Sequence, residues 1–389
     1  MTDPQPESRA PAVLQVLPAM VTGGVERGTI DVAAALTAAG WRAVVVSHGG
    51  PLVRELLRAG AEHVEMDVHR KSPLALRANI GRLATLIADR RIDIVHARSR
   101  APAWSAMYAA RRAGVPFMTT FHGNYGAGNA LKRLYNSVMA RGDRVIAISD
   151  FIRDQLVGRY QVDPARIRTI PRGIDCRAFD PQAVKPERVI ELARRWRLPD
   201  GLPIVMLPGR LTRWKGQLVL VDALARLARK DVACIMVGDD QGRTAYREEL
   251  EKKIVDAGLG DRVHLVGNCA DMPAAYMLAD VVVSASTEAE AFGRVGVEAQ
   301  AMGRPVIATD HGGSRETVLP GETGWLVPPG DPAALADALA IALALSPDDR
   351  RRLGAAARDN VLHHFTRETM CADTLAVYAE LLDARAAAR

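Results

Sequence analysis

The chain has 389 residues, 48% apolar and 25% charged, proportions that exclude a disordered or fibrous protein and predict two or three globular domains. Its net charge of +6 is uneven: residues 1–180 hold 25 Lys/Arg against 16 Asp/Glu, residues 181–389 hold 26 against 29. Aromatics are only 5% and no nucleic-acid-binding motif accompanies the basic half, so no nucleic-acid partner is expected. That basic half reads either as an Arg-rich solvated surface or as a face for an anionic membrane or phosphorylated acceptor.

In chain order, residues 13–20 are too short, and too interrupted by Pro18, to serve as a secretory signal. No segment reaches the ~20 apolar residues that span a bilayer. Short β-branched runs at 13–17, 43–47, 63–67, 92–96, 117–121, 144–148 and 167–170 alternate with helical patterns such as 26–39 and 74–89. This rhythm predicts right-handed βαβ units and a parallel sheet covered on both faces. The stretch 171–202, rich in Pro and Gly, reads as a connection between domains. Strand runs then resume at 204–207, 232–237, 262–265, 281–284 and 305–308, predicting a second doubly wound domain. Beyond residue 331 only helix is expected, and residues 368–382 repeat apolar positions at helical spacing. The cysteines Cys176, Cys234, Cys269 and Cys371 are dispersed and form no CxxC pair, which argues against a disulfide framework or a zinc site and fits a reducing cytoplasm.

The chemistry-bearing residues fall at strand ends, where open α/β sheets bind ligands. The turn Gly23-Gly24 follows the first strand and opens a helix, a place for backbone amides to meet an anion or for close packing alone. It is not GxGxxG, and no acid follows the second strand, so a nicotinamide dinucleotide is disfavoured. His122 lies just past the fifth run and reads as catalytic or structural; His96 is a weaker candidate. Arg210 and Lys215, between the first strand and helix of the second domain, are placed to neutralise a diphosphate, or are a solvated basic loop. Glu290 and Glu298 flank a predicted helix start near Phe292 and Gly293, which places Glu298 about two turns inside. The amides of Gly293, Arg294 and Val295 would face the same ligand, with Glu298 on ribose hydroxyls and Glu290 on donor sugar hydroxyls; simple capping is the alternative. Asp239-Asp240 follows a strand end without a third ligand, so no metal is expected. Residues 131–141 combine basic and apolar residues at helical spacing, suited to packing or to a membrane interface.

Taken together, Gly23-Gly-Val-Glu-Arg27, Phe121-His-Gly123, Gly209-Arg210 with Lys215-Gly216, Glu290-Ala-Phe-Gly293 with Glu298, and Gly303-Arg-Pro-Val-Ile307 resemble the retaining glycosyltransferases of the GT-B fold, in their large fourth family. Pro171-Arg-Gly-Ile-Asp175 and Gly324-Trp-Leu-Val-Pro328 fit as well, although Arg172 stands where many relatives have Asn. The resemblance implies two Rossmann-like domains facing a central cleft: an acceptor-binding domain over 1–185 and a donor-binding domain over 186–365. It also implies a C-terminal helix over 366–389 that crosses back to the first. Arg210 and Lys215 would bind the donor diphosphate, Glu298 the ribose and Glu290 the donor sugar, with Gly24 beside the diphosphate and His122 near the transferred sugar. Implied further are retention, no metal and no cofactor beyond a nucleotide-sugar donor, with a UDP-sugar favoured. The acceptor would be a glycan or lipid-linked molecule of lipopolysaccharide or cell-envelope synthesis, and the protein cytoplasmic or peripheral at the inner face of the plasma membrane. A nucleotide-sugar 2-epimerase and a non-catalytic nucleotide-sugar-binding protein share these features in part and remain as alternatives.

Overall fold

Alternate residues of one strand serve two different cores, the pattern of a sheet buried on both faces. In the strand Ile204–Pro208, Val205 and Leu207 join one cluster, while Ile204 and Met206 join another. The computed structural model describes residues 9–21, 23–125 and 129–387. It forms two units: the chain up to Pro171 together with the segment from Glu368 onward, and Arg172–Arg367.

The first unit holds β1 (Ala12–Val16), β2 (Arg42–Ser47), β3 (Glu62–Glu65), β4 (Ile94–Ala97), β5 (Phe117–Phe121), β6 (Arg144–Ala147) and β7 (Ile167–Thr169). They pair in parallel in the order β3-β2-β1-β4-β5-β6-β7. On one face Val13, Val45, Ile94, Met118 and Ile146 pack with Ala33 and Leu36 of the helix Gly24–Ala38. Cys371, Val377, Tyr378 and Leu381 of the C-terminal helix Arg367–Ala387 belong to the same cluster. The helices Pro73–Asp89 and Arg100–Ala113 pack on each other, and the second lies against β1, β4 and β5.

The second unit holds β8 (Ile204–Pro208), β9 (Ala233–Val237), β10 (Val263–Gly267), β11 (Val281–Ser284), β12 (Val306–Thr309) and β13 (Gly324–Val327), again parallel, in the order β10-β9-β8-β11-β12-β13. Each sheet therefore reverses direction beside its first strand, between β1 and β4 and between β8 and β11. Both are doubly wound α/β sheets whose ligand edge is the carboxyl edge at that reversal.

Three local differences from the sequence reading have physical causes. β13 is unforeseen because Val327 alone of its four residues is β-branched, so no β-branched run marks it; Gly324 is needed there, since a Cβ would lie 2.4 Å from the Val306 carbonyl oxygen of β12. The segment 131–141 is a short helix, Ala130–Asn136, followed by a 3-10 turn, Ser137–Ala140, whose Val138 and Met139 are buried. The Pro-rich stretch from Arg172 onward groups with the second unit, where Ile174 bridges Thr366 and Val184 and Leu192 enter the core.

Candidate active site

In the second unit the sequence-predicted donor residues converge on the carboxyl ends of β8, β11 and β12. Gly209, at φ +149°, turns the chain out of β8, and its backbone amide donates to the Val237 carbonyl at 2.8 Å. Arg210 follows, exposed, and among the described residues its guanidinium pairs with no carboxylate. Lys215 closes the next turn, with its ammonium 4.4 Å from the centre of the Trp214 ring. Gly216 must be glycine: it has φ +73°, and a Cβ would meet the Ala285 carbonyl oxygen at 1.9 Å. This contact holds the Lys215 turn against the end of β11.

Glu290 accepts a hydrogen bond from Lys215 Nζ at 2.7 Å, and both side chains are nearly buried. Ser286 and Ser284 donate to the same carboxylate oxygen. Burial alone would raise the Glu290 carboxyl, but the Lys215 charge and these hydrogen bonds outweigh it and hold it below the usual carboxylate range. Glu290 is thus a fixed anion with a buried cation beside it.

The helix Arg294–Ala301 begins after Gly293, which takes φ +83°. Phe292 is buried and packs edge-on against Phe365 at 5.7 Å, while Val295 is half-buried in the neighbouring core. Glu298 is the fifth residue of this helix, so it lies about one turn inside rather than two, because Phe292 and Gly293 are outside the helix. Tyr276 donates its hydroxyl to Glu298 at 2.8 Å and Arg294 donates Nε at 2.6 Å. Burial, and next the Glu298 carboxylate, push the Tyr276 hydroxyl well above its ordinary range, which keeps it a donor.

Several contributors are absent from the sequence reading. Gly312 and Gly313 close over Glu290 and Phe292: a Cβ on Gly312 would be 2.4 Å from the Glu290 carbonyl oxygen, and one on Gly313 2.5 Å from Phe292 Cα. The amide of Gly313 donates to Glu290 O at 2.9 Å. A Gly-Gly pair just after a strand run was the available signal. Ser286 and Tyr276 carry no such signal, since a lone hydroxyl gives no pattern. Asp239 and Asp240 cap a turn at Gln241 and Gly242, and Asp240 faces Arg247 at 3.7 Å.

In the first unit, Gly23 precedes the helix Gly24–Ala38, and a Cβ on it would meet a Glu26 carboxylate oxygen at 2.3 Å. Glu26 therefore already supplies a negative group at that helix start. Thr22 of the same turn lies outside the described residues. His122, half-buried, sits one residue past β5, on the same carboxyl edge as the glycine turn but two strand spacings away, about 10 Å. His96 is not a site residue. It is wholly buried, with Nδ1 2.6 Å from the Tyr378 hydroxyl and Nε2 2.7 Å from Thr120 Oγ1. Burial first, and then the Arg98 charge, hold it well below the usual imidazole range and keep it neutral.

Residues 22–178 match the family described as Glycosyltransferase Family 4, and residues 189–360 the family described as Glycosyl transferases group 1. The chain is 34% identical over 319 residues to a D-inositol 3-phosphate glycosyltransferase of Xylanimonas cellulosilytica, covering 76% of this chain and 73% of that one. The chain belongs to the family 4, group 1 glycosyltransferases. It is also 32% identical to a GDP-mannose-dependent alpha-(1-6)-phosphatidylinositol monomannoside mannosyltransferase of Mycobacterium tuberculosis, over 75% of this chain and 77% of the relative. Among solved structures, a glycosyltransferase from Rickettsia africae superposes with a TM-score of 0.89 at 39% identity, over 96% and 99% of the two chains. Anabaena HepE in complex with UDP-glucose superposes with a TM-score of 0.82 at 25% identity, over 94% of this chain and 99% of that one. The doubly wound pair of sheets is thus the GT-B type of two Rossmann-like domains, and the protein is a glycosyltransferase.

Proposed function

We propose that this glycosyltransferase moves a sugar from a nucleoside-diphosphate sugar to a phosphate-bearing or lipid-linked acceptor, with retention at the anomeric carbon. The observation that carries the reading is the Lys215–Glu290 pair, buried at a strand-end turn beside the exposed Arg210. Arg210 offers a planar fork and Lys215 a point charge to the diphosphate, so the sugar–phosphate bond loosens as negative charge builds on the departing nucleotide. The acceptor hydroxyl attacks the anomeric carbon from the leaving-group face, the carbon–phosphate oxygen bond breaks, and the departing phosphate takes the hydroxyl proton. Glu290 holds donor sugar hydroxyls near that carbon, Glu298 the ribose, and His122 approaches the transferred sugar. With two protein cations on the diphosphate, the transfer itself needs no metal.

A UDP-sugar remains the favoured donor, supported by the UDP-glucose complex of HepE, while the mannosyltransferase relative makes a GDP-sugar the second reading. The relatives named for inositol phosphate and phosphatidylinositol mannoside favour an anionic, phosphorylated polyol acceptor over a neutral glycan. That acceptor suits the basic first half of the sequence. A cell-envelope role, at the cytoplasmic face of a membrane, belongs to the same proposal.

The test is thermal stabilisation of the purified protein by UDP-, GDP-, ADP- and TDP-sugars without metal. A donor at a hundredfold excess over its Kd adds about 2.7 kcal/mol to the native state, read as a raised midpoint. The expected result is a shift with one nucleotide class that Arg210→Ala abolishes. No shift with any of them overturns the donor site, and an epimer formed from donor alone would support the epimerase instead.

A further inference from the structure

At the far edge of the first sheet, away from His122, two loops bring together groups that the transfer chemistry does not use. The loop after β2 carries His48, and the segment after β3 carries Asp67 and His69. One ring nitrogen of each histidine and a carboxylate oxygen of Asp67 all lie within 4.8 Å of one another. We propose that His48, Asp67 and His69 form a binding site for one divalent transition-metal ion of the zinc class.

The ligand set fits that class: two imidazoles and one carboxylate suit zinc and its neighbours, whereas magnesium and calcium prefer oxygen throughout. His48 Nδ1 lies 2.6 Å from Asp67 Oδ1, and the two rings are 4.5 Å apart between centres. His69 Nδ1 is buried and, among the described residues, has no hydrogen-bond partner. Leaving such a nitrogen unpaired costs about 1–3 kcal/mol, and a bound metal removes that cost.

Arg70 does not block the site. Its guanidinium bonds Asp67 Oδ2 at 3.0 Å and leaves Oδ1 turned toward His48. A metal taking Oδ1 alone would keep Arg70 as the outer hydrogen bond that orients a ligating carboxylate. Two ligands about 2.0–2.1 Å from a tetrahedral ion stand about 3.3 Å apart, so the His48–Asp67 contact must open slightly. His48, with 53% of its side chain exposed, is free to make that movement.

The backbone around the site is fixed on three sides. Met66 N donates to Ser47 O at 2.8 Å, His48 N to Pro18 O at 3.0 Å, and Asn79 Nδ2 to Asp67 O at 3.0 Å. Gly49 O accepts from Met20 N at 2.8 Å, and a Cβ on Gly50 would lie 2.4 Å from Met20 O. The ion would therefore clamp the ends of β2 and β3 to the strap, Pro18 to Met20, that leads into the Gly23-Gly24 turn. Its role is structural, separate from the proposed metal-free transfer, and a failure of either leaves the other standing.

The test is titration of the chelator-treated full-length protein with Zn²⁺ by calorimetry, with Co²⁺ as a spectroscopic probe and Mg²⁺ as competitor. The expected result is one Zn²⁺ per chain, unaffected by Mg²⁺, with imidazole-type Co²⁺ bands and a raised melting midpoint. Asp67→Asn and His69→Gln should each weaken binding at least tenfold, the scale on which even outer-shell partners act. His48→Gln, at an exposed side chain, should do the same without endangering the fold. The proposal is overturned if stoichiometry stays well below one, or if these variants bind as the parent does. It is equally overturned if the ion is lost only on replacing the exposed histidine pair His363 and His364 of the second unit, or if the three variants impair transfer while no metal binds.

Discussion

Lys215 and Glu290 are each nearly buried, and each is the other's charge partner. Removing one member of such a pair leaves an uncompensated buried charge, which costs about 3–5 kcal/mol. Lys215→Ala therefore damages both the proposed donor site and the fold, whereas Lys215→Met with Glu290→Gln restores neutrality. The expected outcome is a lowered melting midpoint for Lys215→Ala, recovery in the double variant, and no transfer in either. A double variant with normal turnover would show that the pair is only structural. The same logic fixes the pH dependence: the folded carboxyl of Glu290 lies below its unfolded value of about 4.5. Its contribution to stability is thus fully present above that value and is lost as pH falls through the lower folded value. Most of this site was legible because charged residues at strand ends carry a pattern. Ser286 and Tyr276 were not, since a hydroxyl becomes functional only through the partner that folding brings to it.

Among elements, the short helix Ala130–Asn136 departs from ordinary surface composition. Leu131 is 78% exposed and Leu134 55%, three residues apart on one face, with the exposed cations Lys132 and Arg133 beside them. The sequence left its apolar positions open between packing and a membrane interface. Packing is carried instead by Val138 and Met139 of the following turn, so the leucines are spare. Insertion of a leucine contributes about 1.5–3 kcal/mol, and each basic residue near an anionic surface about 1 kcal/mol. Co-sedimentation with phosphatidylglycerol vesicles at low salt is expected for the parent protein, and a tenfold or greater loss for Leu131→Glu with Leu134→Glu. Equal partitioning of both proteins would remove this helix as an anchor. Strand positions in the sheets were readable because β-branched runs recur between helical ones. The helix break at Ser137 was not, because apolar residues at similar spacing serve a helix and a 3-10 turn alike.

At the scale of the whole molecule, the first unit is completed by residues nearly 300 positions away from those they pack against. His96 in β4 and Tyr378 in the C-terminal helix share a 2.6 Å hydrogen bond in a core that also contains Ile94, Met118 and Leu381. Helical spacing in the sequence showed that residues 368–382 have an apolar face, but not what covers it, since a period carries no partner. His96 makes this docking sensitive to acid. Its folded value lies well below the unfolded value of about 6.5, because it is buried and Arg98 is near, with Thr120 on its other nitrogen. Stability from the neutral imidazole is fully present above pH 6.5 and declines as pH falls below it, by at most about 1.4 kcal/mol per pH unit. Opening of the Arg367–Ala387 helix exposes His96, so hydrogen-exchange protection factors across this helix should fall about tenfold per pH unit below 6.5. In His96→Gln, which keeps a polar partner for Tyr378 but cannot be protonated, that decline should disappear. An unchanged decline in the variant would assign the acid response to another group, and protection independent of pH in the parent would mean the helix opens without wetting His96.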